Sequence, residues 1–286
     1  MASNEEDNEM SLSAKECQAR IDQFVEVTNT DEAQAQSVLQ DHAWNLEEAI
    51  NAFLASNHPD PGLALTTTPP STLAMISWNI DGLDEKNLPK RAAYVAGEIK
   101  KLKPDVVLLQ EATEMIIEIL DKQLGIDYHV IEQQGGAAVA RADYFTCILL
   151  RHTTIYLDDA RTKMFENTKM GRGSQRVLAH IGKVQLCFIN VHLESTKDFR
   201  KERLEQLEQC LEEIKNTKED VTVILAGDLN IRDSEVASLR NDHGLPSDVK
   251  DVWESLGKRK ELQYTWDCLR NTNLQVSQLE ISFLKS

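Results

Sequence analysis

Apolar residues recur in two different rhythms along this chain. Between Arg20 and Ser56, the residues Ile21, Phe24, Val38, Leu39, Leu46, Ile50 and Phe53 fall at helical spacings in three segments, separated at "TNTDE" and "HAWN". That pattern predicts three short helices over 20–56, behind an acidic tail at 1–19. The next stretch, "NHPDPGLALTTTPPST", has no period and is rich in Pro and Thr, so 57–73 reads as a linker. From Met75 the rhythm changes to short β-branched runs alternating with amphipathic stretches. "LAMISWN", "DVVLLQE", "YFTCILL", "VQLCFINVHL" and "VTVILAGD" read as strands. Leu88, Ala92, Val95, Ile99 and Leu102 share a helical face between the first two, and Leu204, Leu207, Leu211 and Ile214 mark a helix between the last two. Strands mixed with helices over 74–286 predict an α/β sandwich.

Where the apolar runs end, polar groups begin: Asn79, Glu111, His192 with Glu194, and Asp228 with Asn230. Loops held by a rigid sheet are where catalytic side chains concentrate. The set consists of hard oxygen donors and one imidazole, carried on separate strand ends. Mg²⁺ takes near-octahedral oxygen coordination from one or two carboxylates and keeps its other positions for water and substrate phosphate. The groups in "WNIDGL", "LQE", "HLES" and "GDLN" suit a magnesium phosphoesterase.

Charge changes this picture only in part. The net charge is -16, which opposes nonspecific attraction to nucleic acid. Residues 1–56 hold 12 Asp and Glu against 2 Lys and Arg, a balance of -10, which leaves -6 for the other 230 residues. Phosphate binding is therefore expected to be local and metal-assisted. No apolar run approaches the roughly 18 to 20 residues of a membrane span, so no membrane partner is expected. The start "MASNEEDNEM" lacks the basic and apolar regions of a secretory signal, so the chain reads as intracellular. Five scattered cysteines, never spaced C-x-x-C, argue against a disulfide framework and a zinc site.

The order W-N-x-x-G-L, L-Q-E, H-L-E-S, G-D-x-N resembles the exonuclease, endonuclease and phosphatase superfamily of DNase I-like enzymes. Within it, "SWNIDGLD", "VHLESTK", "AGDLNIRD" and "YTWD" are similar to the 5′ tyrosyl-DNA phosphodiesterases, over Ala74 to Leu274. The resemblance implies a DNase I-like two-sheet sandwich flanked by helices and preceded by a small three-helix ubiquitin-associated type domain. It implies a hydrolase that removes topoisomerase-derived tyrosyl adducts from DNA 5′ phosphates in repair. It gives Glu111 and Asp81 to a Mg²⁺, with Mn²⁺ as a substitute, and Asp228 to acid/base or water-orienting work. Asn79, His192, Ser195, Asn230 and Arg232 go to the DNA 5′ phosphate and its neighbours, and Tyr144 and Trp266 become aromatic contacts to the strand end. Implied partners are DNA 5′ ends bearing phosphotyrosine and ubiquitin or ubiquitylated proteins; the implied location is the nucleus, and also the cytoplasm.

One departure from the family stands at the end of the chain. Members close with an Asp in a "DRI"-like segment and an S-D-H triplet, whereas here "QVSQLEISFLKS" carries neither Asp nor His. The reading that follows expects missing C-terminal strands, little activity and low stability. His243 in "NDHG" reads as a surface loop histidine. Two alternatives accompany the enzyme: an inactive short product acting mainly as a ubiquitin-binding protein, and a related AP endonuclease-like phosphodiesterase.

Overall fold

The computed structural model describes residues 13–28, 30–57, 70, 72–133, 143–242, 246 and 248–260. The chain divides into two compact units, residues 1–65 and 66–286.

In the first unit, α1 (Ala14–Thr28), α2 (Glu32–Asp41) and α3 (Leu46–Asn57) meet around Ile21, Phe24, Ala35, Leu39, Ala49 and Phe53. Phe24 and Phe53 pack edge to face with centroids 5.4 Å apart, the favoured geometry for two quadrupolar rings. Asp31 caps α2 by accepting the Gln34 amide at 2.8 Å, which satisfies one of the orphan donors of a helix start. Val38, Leu46 and Ile50 flank this core only partly buried. Most of the stretch read as a linker lies outside the described residues.

The second unit is a sandwich of two four-stranded sheets. The first sheet contains β1 (Met75–Asn79), β2 (Val106–Ala112), β3 (Tyr128–Glu132) and β4 (Phe145–Arg151), in the order β1-β2-β4-β3. The second contains β5 (Tyr156–Met164), β6 (Gly173–Ile181), β7 (Val184–His192) and β8 (Val221–Asp228), in that order. Alternate residues of each strand face opposite sides. Val106, Leu108, Ile148 and Leu150 therefore meet Val177, Ala179, Phe188 and Ala226 between the sheets. The outer face of the first sheet is covered by α4 (Leu88–Leu102) and α5 (Glu114–Leu124). That of the second is covered by α6 (Arg200–Lys215) and α7 (Asp233–Asp242), and the short α8 (Val252–Ser255) follows. This is the DNase I-like two-sheet architecture.

Two symmetric connections place the site. β1 runs parallel to β2 through α4, and β7 runs parallel to β8 through α6. A parallel pair needs such a crossover, and each crossover brings two strand C-termini to the same edge. Between the sheets, Gln110 donates to Asn190 Oδ1 at 2.8 Å, and Asn190 donates to the carbonyls of Leu109 and Cys147 at 2.9 and 3.0 Å. Buried amides tolerate only the alignment that satisfies them, so this belt fixes one sheet against the other just beneath the strand ends.

The structure adds elements the periodicity does not mark: β3, β5, β6, α5, α7 and α8. Leu102, expected on the buried face of α4, is exposed, since it sits in the last turn where the helix leaves the sheet. The segment holding Trp266 and the tail after it, together with His243, lie outside the described residues.

Candidate active site

Three strands meet at one amide. Asn79, the last residue of β1, donates from Nδ2 to Glu111 Oε1 at 2.9 Å and to Asp228 Oδ2 at 2.8 Å. Its Oδ1 accepts the Asp81 amide at 2.9 Å, which turns the donor side toward the carboxylates. Glu111 sits in β2 at a register shift, with φ of 56°. A non-glycine residue in the left-handed region departs from the strand conformation, and here it turns the carboxylate out of the ladder. Gly82 lies against the Glu111 carbonyl so closely that an added Cβ would stand 1.9 Å from it.

The Glu111 carboxyl is pushed above the usual range, first by burial and then by the charges of Asp81 and Asp228, although the Asn79 hydrogen bond and Arg172 oppose the shift. Three carboxylates at one half-buried place repel one another, and a divalent cation relieves that repulsion. Among the described residues no three His, Cys, Asp or Glu side chains form a metal cage. Mg²⁺ needs only one or two carboxylates, so Glu111 with Asp81 fits it as a donor set.

Asp228 closes β8 directly opposite His192 on β7. Its Oδ1 accepts the Asn230 amide at 3.2 Å, and its Oδ2 lies 3.5 Å from His192 Nε2. His192 is buried, and its Nδ1 lies 2.5 Å from Arg172 Nη1. A guanidinium can only donate, so Nδ1 accepts and the ring proton sits on Nε2, facing Asp228. Burial holds the His192 pKa down to about 3; Asp228 pulls upward and Arg172 adds to the depression. The imidazole is accordingly neutral at pH 7, and fixed positive charge at this point comes from Arg172.

Tyr144 directly precedes β4. Its ring centroid lies 4.9 Å from the Arg172 guanidinium carbon and 6.2 Å from the His192 ring, and its hydroxyl stands 3.5 Å from the Met170 carbonyl. Ser195 donates to Met170 Sδ at 3.2 Å. Asn230, with φ of 50°, spends one amide hydrogen on the Leu193 carbonyl at 3.2 Å. The Arg232 amide donates to Glu235 Oε2 at 3.0 Å, and its Nη1 lies 3.4 Å from Glu235 Oε1. Asn79, Asp81, Glu111, His192, Asp228 and Tyr144 thus belong to one cluster, with Ser195 joined to it through Met170, and Asn230 and Arg232 on the loop after β8. Trp266 lies outside the described residues.

Sequence reasoning missed Arg172, which is buried at 5% exposure between His192 and Tyr144. The available signal was a basic residue flanked by two glycines in "MGRGSQ", entering a strand instead of leaving one.

Residues 18–59 match a UBA-like domain, and residues 76–275 match the Endonuclease/Exonuclease/phosphatase family. The chain is 34% identical over 295 residues to tyrosyl-DNA phosphodiesterase 2 of Gallus gallus, covering 92% of this chain and 77% of the relative. The Homo sapiens protein of the same name is 33% identical, with 89% and 77% covered. A crystal structure of D. rerio TDP2 complexed with a single-strand DNA product superposes with a TM-score of 0.68 at 37% identity, covering 76% of this chain and 85% of that one.

Proposed function

We infer the reaction of this chain from its family: it belongs to the endonuclease/exonuclease/phosphatase family and, within that, to the tyrosyl-DNA phosphodiesterases. It is a hydrolase of phosphodiester bonds between tyrosine and DNA. The finer reading is cleavage at a DNA 5′ phosphate, dependent on Mg²⁺ and serving DNA repair in the nucleus. The observation that carries it is the Asn79 amide, which joins Glu111 and Asp228 from three different strands.

Glu111 and Asp81 would hold the Mg²⁺, with Mn²⁺ able to take its place. When bound, the ion neutralises charge on the phosphate oxygens. Asp228 can orient water and take its proton, since Asn79 and His192 Nε2–H fix the carboxylate in the cluster. His192 is neutral and acts here as a hydrogen-bond donor, not as a charge. Arg172 supplies the cation beside Tyr144, where a departing phenolate would need one. Tyrosine leaves readily as its anion, with a pKa of about 10. Asn230, Ser195 and Arg232 would border the phosphate, and Tyr144 and Trp266 would stack on the terminal base at about 1 to 3 kcal/mol each.

A direct assay is turnover of an oligonucleotide with a 5′ phosphotyrosine by the full chain, beside 3′ phosphotyrosyl and abasic substrates, with and without Mg²⁺. Release of tyrosine from the 5′ substrate alone, lost with EDTA and in Glu111→Gln, is expected. Preference for the abasic duplex, or turnover by Glu111→Gln at ordinary Mg²⁺, would refute the reading. Imaging of the tagged chain checks the location, and exclusion from the nucleus would overturn it.

The UBA-like match over residues 18–59 supports a second partner, ubiquitin or a ubiquitylated protein. Titration of ¹⁵N-labelled ubiquitin with the full chain should shift a contiguous set of ubiquitin amides. Unchanged spectra at millimolar concentrations would remove this partner.

A further inference from the structure

Glu194 lies two residues beyond His192 and is fully buried, yet none of the steps above uses it. A carboxylate is costly to bury. Its Oε2 has no hydrogen-bond partner among the described residues, so filling space does not account for it. Its Oε1 is crowded by contrast. It accepts the Thr168 hydroxyl at 2.8 Å, the Met170 amide at 3.1 Å and the Lys169 amide. The Thr168 oxygen, having donated to Glu194, accepts the Arg172 amide at 2.7 Å. A single carboxylate oxygen thus gathers both ends of the turn "TKMGR", which joins β5 to β6.

What that turn presents to the site follows from this gathering. The Arg172 guanidinium meets His192 Nδ1 at 2.5 Å and lies beside the Tyr144 ring, the Met170 carbonyl faces the Tyr144 hydroxyl, and Met170 Sδ receives Ser195. The main chain of Glu194 is held as firmly. Its amide donates to Gln206 at 2.9 Å, and its carbonyl accepts the buried Arg203 at 2.8 Å. The carboxylate is therefore anchored to the scaffold on one side and to the Arg172 turn on the other.

We propose that Glu194 is a positioning residue, which acts through the Thr168–Arg172 turn to set the guanidinium against His192 Nδ1 and beside Tyr144. It touches no reacting atom. Its effect reaches the chemistry through the side chains that Arg172 orders: the His192 tautomer that faces Asp228, and the placement of Tyr144. The activity arm of the test rests on the phosphodiesterase reading, and a second arm does not.

The test compares the full wild-type chain with Glu194→Gln, Thr168→Val, Arg172→Lys and the Glu194→Gln/Arg172→Lys pair. Steady-state cleavage of a 5′ phosphotyrosyl oligonucleotide gives kcat and KM. The ¹⁵N signals of the His192 ring, assigned by their loss in His192→Gln, give its tautomer. Glu194→Gln and Thr168→Val should each lower kcat about tenfold, the scale for removing the partner that orients a catalytic group, with KM within about twofold. Both should turn the single His192 tautomer into a mixture. With lysine already at 172, Glu194→Gln should cost less than about twofold more.

A fully additive double variant, or an unchanged His192 tautomer in Glu194→Gln, overturns the proposal. Should Glu194→Gln fail to fold, Thr168→Val decides, and wild-type kcat and tautomer in that variant overturn it equally. If the wild-type chain cleaves no phosphotyrosyl substrate, the functional reading falls, while the His192 signals still decide the role of Glu194.

Discussion

Asn79 and Asp228 stand 149 residues apart in the chain and share a 2.8 Å hydrogen bond across the mouth of the sandwich. The same nitrogen bonds Glu111 at 2.9 Å, so one neutral amide separates two carboxylates that would otherwise face each other. Asn79→Asp keeps the size of the side chain but replaces a shared donor with a further negative charge. Cleavage should fall on the order of 10²-fold at saturating substrate, the scale for losing a preorganised donor at a reacting centre. The Mg²⁺ concentration for half-maximal rate should also change, whereas a nearby Ser77→Ala control should alter neither. Kinetics across a Mg²⁺ series check this, and near-wild-type kcat in Asn79→Asp would show the bridge to be incidental.

Two glycines give opposite expectations. An added Cβ at Gly82 would lie 1.9 Å from the Glu111 carbonyl and 3.0 Å from Ile116 Cδ1, whereas one at Gly97, on the exposed side of α4, meets nothing within 4 Å. Gly82→Ala must push Glu111 away, at a cost of about 1 to 3 kcal/mol for overpacking and most of the activity. Gly97→Ala should gain up to about 1 kcal/mol from helix propensity with kcat unchanged. Urea denaturation read beside the cleavage assay compares them. A fully active Gly82→Ala would mean that the Glu111 backbone tolerates displacement.

The contrast between Glu111 and Arg172 shows which parts of the site the sequence displays. Glu111, His192, Asp228 and Asn79 each close a run of β-branched and aliphatic residues, so the break from apolar to polar marks them. Arg172 enters its strand, and β6 begins "GSQR", so no apolar run precedes it to mark a boundary. Its burial comes largely from Tyr144 and His192, which reach it from distant parts of the chain, and local periodicity carries no such information. β5 escapes notice for a different reason: at one edge of its sheet it reads "YLDDARTKM", with charged residues that suit an exposed edge but not an apolar template. The strands β2, β7 and β8 are legible because both of their faces are covered.

Tyr128 sets an alkaline limit. Its hydroxyl is buried and donates to the Pro104 carbonyl at 2.8 Å, and burial pushes its pKa up to about 12. The folded pKa is raised above the unfolded value, so this stabilisation is complete below about pH 10 and is lost as pH rises through 12. Tyr128→Phe should be about 1 kcal/mol less stable at pH 8, having lost one hydrogen bond. The two unfolding curves should converge between pH 10 and 12. A constant gap over that range would mean that the phenol does not titrate with folding.

Arg203 and Glu235 supply the acid-side counterpart. Arg203 is fully buried, with Nε 3.1 Å from Glu235 Oε2 and Nη2 2.6 Å from Oε1, and its Nη1 donates to the carbonyls of Glu194 and Thr196 at 2.8 Å. Glu235 also accepts the Arg232 amide, so this pair ties the loop after β7 to the loop after β8, and both loops carry site residues. Burial alone would raise the Glu235 pKa, but the Arg203 fork, the Arg232 amide and the charges of both arginines outweigh it and hold the carboxyl below its usual value. A depressed folded pKa contributes stability above the unfolded value of 4.5, and that stability is lost as pH falls through the folded pKa. Glu235→Gln leaves the buried guanidinium without its counter-charge, which should cost about 3 to 5 kcal/mol at pH 7. The variant should also lose less further stability than the wild type below pH 4.5, because the group that would be protonated is gone. Thermal unfolding at pH 7 and at steps below 4.5 measures both. If Glu235→Gln melts within a degree of the wild type at pH 7, or if both chains lose stability in parallel in acid, the buried pair does not bind the two loops together.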